Sequence, residues 1–296
     1  MLRFTGLNFI AQAVLFALTG LVASLSAASA QSPDPCPAGT AAFDESEFEA
    51  AAKAYRTCLT SQLYEWTDET RIRLDLADAL LYLGEAQDAL IAVEQVAALV
   101  DANGGNPRAT VLLIKRSEAL LQLGRYEEAL PDLEEALSDV PEDVWVSVLT
   151  GSALLEVDRH AEAVAAFDIA VREAPDFTGG WIGRSAAFLE LGLFENGIDD
   201  AEEAVSLAPE DGSALNALCW ALVQAGRAAD GMDICDAAVE AEPDNGSIVH
   251  SKAAALEQVG RTEEAAALYA RAYELQPDDP DLIADHERVN GPIDSE

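Results

Sequence analysis

The stretch TVLLIKRSEALLQLGRYEEALPDLEEALSDVPED, residues Thr110–Asp143, carries the pattern that decides the fold. Leucines recur at helical spacing on both sides of Gly124, which predicts two helices joined by a short turn. A glycine at such a break is typical of a left-handed helix end. Pro141 near the end of the stretch stops the second helix, because the residue before a proline disfavours helical geometry. The stretch therefore predicts an antiparallel helix pair.

The same pattern occurs five times between residues 110 and 279, with a period of 34 residues and no insertion. Each unit has a turn residue, two small residues in its second helix and a closing proline. The turn residues are Gly124, Asp158, Gly192, Gly226 and Gly260. The small residues are Ala129, Ala163, Gly197, Gly231 and Ala265, and then Ala136, Ala170, Ala204, Ala238 and Ala272. The prolines are Pro141, Pro175, Pro209, Pro243 and Pro277. A fixed period of this length predicts a solenoid of stacked units.

These positions resemble those of the tetratricopeptide repeat family. One unit matches the family pattern at Trp181, Phe188, Phe194, Ala204 and Pro209, and another at Gly151, Leu154, Ala163, Phe167, Ala170 and Pro175. The resemblance implies an all-α fold, a right-handed superhelical solenoid of antiparallel helix pairs. It also implies binding of peptides or protein elements in a concave groove, and no catalytic residues.

Three residues depart from the family pattern. Gly197 and Gly231 stand where alanine is usual, and we expect each to loosen its helix by up to about 1 kcal/mol. Pro131 falls inside a second helix, and we expect it to kink that helix or to shift its start.

The segments around the regular array have other patterns. Residues 31–43 are rich in proline and predict a linker, and residues 44–69 predict a degenerate half repeat that caps the N-terminal end. Residues 70–103 predict a divergent repeat without a closing proline, followed by a loop insertion at 104–109. Residues 280–296 predict a C-terminal capping helix and a tail, because the end of a solenoid needs a polar surface.

Residues 1–30 predict a signal peptide. Arg3 precedes the uncharged apolar run Leu7–Leu25, and Ala28-Ser29-Ala30 offers the small residues that a signal peptidase requires. We therefore expect cleavage after Ala30, a periplasmic or secreted protein, and no stable membrane insertion after cleavage. The alternative is a retained anchor, because the run is nearly long enough to span a bilayer.

The charge balance restricts the partners. The chain has 17 basic and 54 acidic residues and a net charge of −37. This charge disfavours nucleic acid and anionic membranes, and it favours basic partners or simple solubility. None of the three histidines is spaced with other ligand-type residues, and no nucleophile–base pair is visible. We therefore expect no metal, no cofactor and no enzymatic activity.

Two further pairings follow from the repeat positions. Arg116 and Arg184 each precede an aspartate, Asp132 and Asp200, by 16 positions, which predicts ion pairs between the two helices of a unit. As surface pairs they would contribute about 0–1 kcal/mol each. The alternative is that the two arginines bind a ligand.

The four cysteines suit an oxidising compartment. Cys219 and Cys235 occupy facing positions of one helix pair, which predicts a disulfide worth roughly 3 kcal/mol in the loop-entropy model. By default Cys36 pairs with Cys58. The alternative for these residues is buried free thiols.

The resemblance also implies a groove lined by one face of each first helix. On this face we expect an exposed apolar strip that receives a helix or an extended peptide, with Trp145 and Trp220 as anchors. Its residues are Val111, Ile114, Leu121, Trp145, Val148, Leu155, Ile182, Leu189, Asn216, Trp220 and Val223, with His250 as a further candidate. The alternative is that these side chains pack against the neighbouring repeat.

The sequence thus favours a non-catalytic scaffold or adaptor in the periplasm that binds a protein or peptide partner. A chaperone-like holder of an unfolded or basic client, as in cytochrome c maturation, is the alternative. The lysine and asparagine clamp of carboxylate-binding tetratricopeptide domains is absent, which disfavours an adaptor for chaperone tails.

Overall fold

A computed structural model of the chain describes residues 34–61 and 64–292. Within these ranges the chain forms helices, turns and loops, and no strand. The predicted signal peptide and the last part of the predicted tail lie outside the described residues. None of the described helices is both long and apolar enough to cross a membrane.

Fifteen α-helices follow one another in the described part of the chain. The first seven are α1 (Pro37–Asp44), α2 (Phe48–Ser61), α3 (Trp66–Tyr82), α4 (Ala86–Ala102), α5 (Thr110–Gln122), α6 (Tyr126–Asp139) and α7 (Val144–Glu156). The next four are α8 (His160–Glu173), α9 (Thr178–Glu190), α10 (Phe194–Leu207) and α11 (Gly212–Gln224). A 3₁₀ turn at Ala228–Asp230 precedes α12 (Met232–Ala241), α13 (Gly246–Gln258), α14 (Thr262–Leu275) and α15 (Pro280–Asn290).

The described residues divide into two compact units, which meet in sequence between residues 157 and 158. The N-terminal unit holds α1 to α7, and the C-terminal unit holds α8 to α15. Inside each unit every helix packs against the next one along the chain. First helices also contact each other, α3 with α5 and α5 with α7, and likewise α9 with α11, α11 with α13 and α13 with α15. Each unit is therefore a stack of helix pairs, and its first helices share one face.

The helix ends follow the local signals of the sequence. In each of the five 34-residue repeats the second helix ends two residues before the closing proline. The helix α4 has no such proline and runs for 17 residues, whereas α6 runs for 14. The turn residues have the left-handed conformation that the sequence predicts, with φ from 60° at Asp158 to 83° at Gly260.

The first helix pair corrects the predicted domain boundaries. Residues 31–43 are not a linker as a whole, because α1 begins at Pro37 and pairs with α2. Residues 44–69 are accordingly not a half repeat, since α1 and α2 form a complete pair. Pro37 occupies the first turn of α1, where its missing N–H removes no helical hydrogen bond. The proline content of residues 31–43 therefore does not indicate a linker over the whole segment.

Two of the unusual second helices show what their departures from the repeat pattern do. Pro131 lies inside α6 without shifting its start, since Tyr126 occupies the same repeat position as His160 in α8. The repeat that contains Gly231 differs more, because a 3₁₀ turn replaces the first part of its second helix and α12 begins only at Met232, whereas Gly197 at the same repeat position lies inside an unbroken α10. A β-carbon at residue 231 would collide with the side chain of Leu222. The glycine thus permits close contact between α11 and the start of α12.

Both disulfides join the cysteines that the sequence pairs. Cys219 and Cys235 link α11 to α12 with a Cα–Cα distance of 5.0 Å. Cys36 and Cys58 link the start of α1 to α2 with a Cα–Cα distance of 6.0 Å. Each bridge therefore fastens the two helices of one pair.

The two ion pairs are present, but they are not surface pairs. Arg184 contacts both carboxylate oxygens of Asp200 at 2.8 Å, and Arg116 pairs with Asp132. Both aspartates are buried. The contribution expected for exposed pairs therefore does not apply, because a buried carboxylate left without its arginine would remain desolvated.

Candidate functional site

The expected apolar strip is for the most part core. In the N-terminal unit Val111 is 48% exposed, whereas Leu121 and Val148 are buried. Ile114 packs against the buried cluster around Val146 and is only half-buried. Trp145 and Leu155 are also half-buried. The prediction of an exposed apolar face is therefore wrong for Leu121 and Val148.

In the C-terminal unit the same prediction is wrong for Ile182, Asn216, Trp220, Val223 and His250, all of which are buried. Leu189 is half-buried against the cluster that holds Trp220. That cluster also contains the disulfide of Cys219 and Cys235. First helices of successive repeats touch one another, so packing between repeats covers side chains that a single helix pair would leave exposed.

His250 has a structural place. Its Nε2 atom lies 2.7 Å from Oδ2 of Asp285, and its ring lies 5.4 Å from that of Tyr269. Arg288 contacts Asp285 through Nε at 2.9 Å and Glu257 through Nη2 at 2.8 Å. These contacts fasten α15 to α13 and pack α13 on α14, and His250 is buried, so it is not available to a ligand in the groove.

A polar network takes the place of the apolar strip in the N-terminal unit. The Nζ atom of Lys115 on α5 lies 2.7 Å from Oδ1 of Asp78 on α3 and 3.1 Å from Oε2 of Glu118. The indole Nε1 of Trp145 on α7 donates a hydrogen bond of 2.6 Å to Oε1 of Glu118. The network therefore connects three successive first helices.

The charges of this network are not balanced. Asp75 lies one helical turn before Asp78, and burial followed by the charge of Asp78 raises the pKa of Asp75 to about 6. Arg71 and Lys115 lower this pKa, but they do not offset the other effects. Burial alone would lower the pKa of Lys115, yet the nearby carboxylates raise that pKa above its usual range. The lysine therefore stays charged and is outnumbered by the carboxyl groups beside it, although burial raises the pKa of Asp78 as well.

Aromatic side chains border the network. Tyr82 at the end of α3 stacks on Phe48 with a centroid distance of 4.3 Å, and Phe43 meets both rings edge to face. All three are half-buried. Tyr82 lies one helical turn after Asp78 on α3, and burial and then the charge of Asp78 raise the pKa of Tyr82. Asp75, Asp78, Tyr82, Lys115, Glu118 and Trp145 together are called the acidic face below.

Sequence reasoning did not find the acidic face, although a signal was present. Asp78 and Glu118 are 40 positions apart, which equals one period of 34 plus the six residues of the predicted insertion at 104–109. Asp75 and Lys115 have the same separation. Alignment of the repeats across the insertion would have stacked these residues on neighbouring first helices.

The described residues contain no group of three or more histidine, cysteine or acidic side chains placed to hold a metal ion. What the acidic face offers chemically is a set of carboxylates and aromatic rings that suits a cationic group.

Comparisons with known proteins agree with the architecture. A family model described as tetratricopeptide repeat matches residues 36–107, 114–176 and 184–246, and a second model with the same description matches residues 247–279. A comparison with curated protein sequences finds no match.

Several solved structures are similar to this chain. A tetratricopeptide repeat protein from Parabacteroides merdae has a TM-score of 0.71 and 14% identity, over 86% of this chain and 97% of that one. A thermophilic protein of the same type from Thermus thermophilus has a TM-score of 0.56 and 23% identity, over 62% and 99%. The APC/C hetero-tetramer Cut9–Hcn1 has a TM-score of 0.62 and 14% identity, over 85% of this chain and 48% of that chain.

At these identities the similar structures show the fold alone. Proteins with this repeat are typically non-catalytic scaffolds that bind protein or peptide partners. The family models cover most of the described chain, and the observed helix pairs have the turns and closing prolines of the repeat. The chain belongs to the tetratricopeptide repeat family.

Proposed function

We propose that this protein is a non-catalytic interaction scaffold that binds a basic segment of a partner protein on its acidic face. The observation that carries the proposal is that Asp78 and Glu118, on neighbouring first helices, share a single lysine, Lys115, while Asp75 lies one helical turn before Asp78. Neighbouring carboxylates repel one another. A cation that approaches them offsets this repulsion, which lowers the free energy of the complex.

The surroundings suit a lysine or arginine with an apolar neighbour. A cationic head group can form charge-assisted hydrogen bonds with the carboxylates, which are stronger than bonds between neutral groups. Half-buried aromatic rings, Trp145 and Tyr82, can contact the stem of such a side chain or its charge. The net charge of −37 also attracts a basic partner over longer distances.

The proposal includes export to the periplasm or an equivalent oxidising space. Supporting features are the signal-peptide pattern that ends at Ala30 and the two disulfides, which are rare in reducing compartments. Mass spectrometry of the native protein should find a mature N-terminus at Gln31. An intact Met1 in a membrane fraction would contradict export by cleavage.

The binding experiment uses the mature protein and two labelled, unstructured peptides, one of lysine, leucine and glycine and one with glutamate in place of lysine. Fluorescence anisotropy should show binding of the lysine peptide only. Glu118→Gln should weaken that binding about tenfold or more, because a charge pair is lost from a partly desolvated face.

Glu128→Gln is the matched control for this variant. Glu128 lies on α6 and is exposed, where it pairs with Arg125, so its replacement changes the net charge equally at another place. Equal weakening by both variants would mean unspecific charge attraction and would contradict the proposed site.

A chaperone-like holder of an unfolded basic client remains the alternative, and the acidic face favours a basic client in that case too. Crosslinking in the native envelope distinguishes the two functions. A scaffold should be recovered with one folded partner, whereas a holder should be recovered with several unrelated basic chains.

A further inference from the structure

The turn between α9 and α10 has an unusual surface. Leu191, Leu193 and Phe194 are 41%, 45% and 39% exposed, and they lie within four consecutive residues around Gly192. We call these three side chains the apolar turn.

The other four regular units have a charged pair at this place. Arg125, Arg159, Arg227 and Arg261 occupy the repeat position of Leu193. Each contacts an acidic residue three positions later, in turn Glu128, Glu162, Asp230 and Glu264. In the remaining repeat, residues 178–211, Leu193 and Asn196 stand in place of this charged pair.

Packing does not require the leucine. The four arginine side chains are between 39% and 52% exposed, so the position faces solvent in every regular unit. Adjacent large apolar side chains at an exposed place are a frequent mark of interaction surfaces.

The turn also holds its side chains on a fixed backbone. The amide of Gly192 donates to the carbonyl of Leu189, and that of Leu193 donates to the carbonyl of Phe188, both at 2.9 Å. The amide of Gly197 then donates to the carbonyl of Leu193 at 3.1 Å. Binding would therefore require little ordering of the turn, which lowers the entropy cost of association.

We propose that the apolar turn is a docking site for an amphipathic helix of a partner protein, with leucine-like side chains flanked by lysine or arginine. Exposed carboxylates stand next to the apolar side chains, Glu190 on one side and Glu195 on the other. The nearest distance between Arg227 and the carboxylate of Glu195 is 3.4 Å, which is long for an ion pair. These negatively charged side chains at the edge of the apolar turn attract the lysine or arginine residues that flank the partner helix. A second copy of this chain fits poorly, because its net charge of −37 would repel. This site is separate from the acidic face and goes beyond the proposed function.

The test uses the double variant Leu193→Arg with Asn196→Glu, which copies the pair of the other turns. The four other units show that such a turn is compatible with the fold, and the two changes leave the net charge unchanged. The probe is a labelled peptide of about 18 residues with a leucine face and lysine flanks, which is designed as an amphipathic helix. We expect the variant to bind the probe about tenfold or more weakly, because a charged pair replaces Leu193, the most exposed of the three apolar side chains.

Two comparisons make the result specific. A peptide with the same leucine face and glutamate flanks should bind far more weakly than the lysine peptide. Glu128→Gln on α6, outside the acidic face, should leave binding of the helical probe unchanged, and the double variant should leave binding of the unstructured lysine peptide unchanged. Failure of one site can thus be told apart from failure of the other.

Unchanged binding of the helical probe by the double variant would overturn the proposal. Equally tight binding of the glutamate peptide would overturn the stated chemistry of the partner. A dimer in analytical ultracentrifugation that the double variant abolishes would show that a second copy is the occupant, and this result would also overturn the proposal.

Discussion

The Nε2 atom of His250 lies 2.7 Å from Oδ2 of Asp285, and both side chains are only 3% exposed. The pair joins α13 to α15, a first helix that has no second helix of its own in the described chain. Buried polar groups are stable when they are hydrogen-bonded and costly when they lose a partner. This contact therefore determines how firmly the C-terminal helix is held.

Asp285→Asn should destabilise the C-terminal unit by about 2 kcal/mol at pH 7, because two charge-assisted hydrogen bonds are weakened. Burial raises the pKa of Asp285, but the bonds from His250 and Arg288 outweigh it, so that the pKa lies below its ordinary value of 3.8. The stabilisation is hence present above about pH 4 and is lost as the pH falls below it. Urea unfolding at several pH values measures the difference, with exposed Asp278→Asn as the control. Identical unfolding of Asp285→Asn and the native protein at pH 7 would contradict the role of the pair.

Asp75→Asn should have the opposite effect. Since the pKa of Asp75 is raised to about 6, the folded protein is more stable when this carboxyl is protonated, and the stability is lost as the pH rises through 6. A two-unit shift corresponds to about 2.7 kcal/mol, which solvent screening of a half-buried carboxylate reduces to about 1 kcal/mol. We expect the variant to be more stable than the native protein at pH 8 and equally stable below about pH 4. A gain that does not depend on pH would show that removal of the charge is not its cause.

Cys219→Ser with Cys235→Ser should lower the stability of the C-terminal unit by roughly 3 kcal/mol. Trp220 packs against this disulfide, so tryptophan emission should also shift to longer wavelength. Cys36→Ser with Cys58→Ser is the matched control, because it removes a bridge from the N-terminal unit and leaves the surroundings of Trp220 unchanged. Free thiols in the unfolded, unreduced native protein would rule out both bridges.

Phe177→Asp should improve the start of α9. Three other first helices of the regular array begin after Asp143, Asp211 or Asn245, whose side chains accept a hydrogen bond from the amide three residues later. Phe177 has the same repeat position and cannot accept such a bond. A new cap contributes about 1 kcal/mol, less the contacts of the phenyl ring. Thermal unfolding should show a small gain for Phe177→Asp and a loss of about 1 kcal/mol for Asp211→Ala. Stability that falls equally in both variants would contradict a capping role for this position.

Features that depend on a few neighbouring residues could be predicted well. The left-handed turns at Gly124 and Gly192 and the helix ends before the prolines follow from backbone sterics at single positions. The error at residues 37–43 arose because a proline is compatible both with a linker and with the first turn of a helix. Only the packing of α1 on α2 distinguishes these possibilities.

Features that depend on contacts between repeats could not be predicted from the period. The repeat pattern predicts both Trp145 and Trp220 on an exposed strip. Trp145 is instead half-buried and hydrogen-bonded to Glu118, and Trp220 is buried beside a disulfide. Each of these environments consists of side chains from adjacent helices, some of them far apart in the sequence.

The sequence by itself determined the repeat, the helix pairs and the turns, because these result from local conformational preferences repeated every 34 residues. The tertiary structure alone decided which side chains remain accessible. It buried His250 against Asp285, placed Lys115 between Asp78 and Glu118, and left Leu193 exposed. The physical reason is that a side chain is buried or its charge compensated by a second segment of the chain. The local sequence around that side chain does not specify which segment this is.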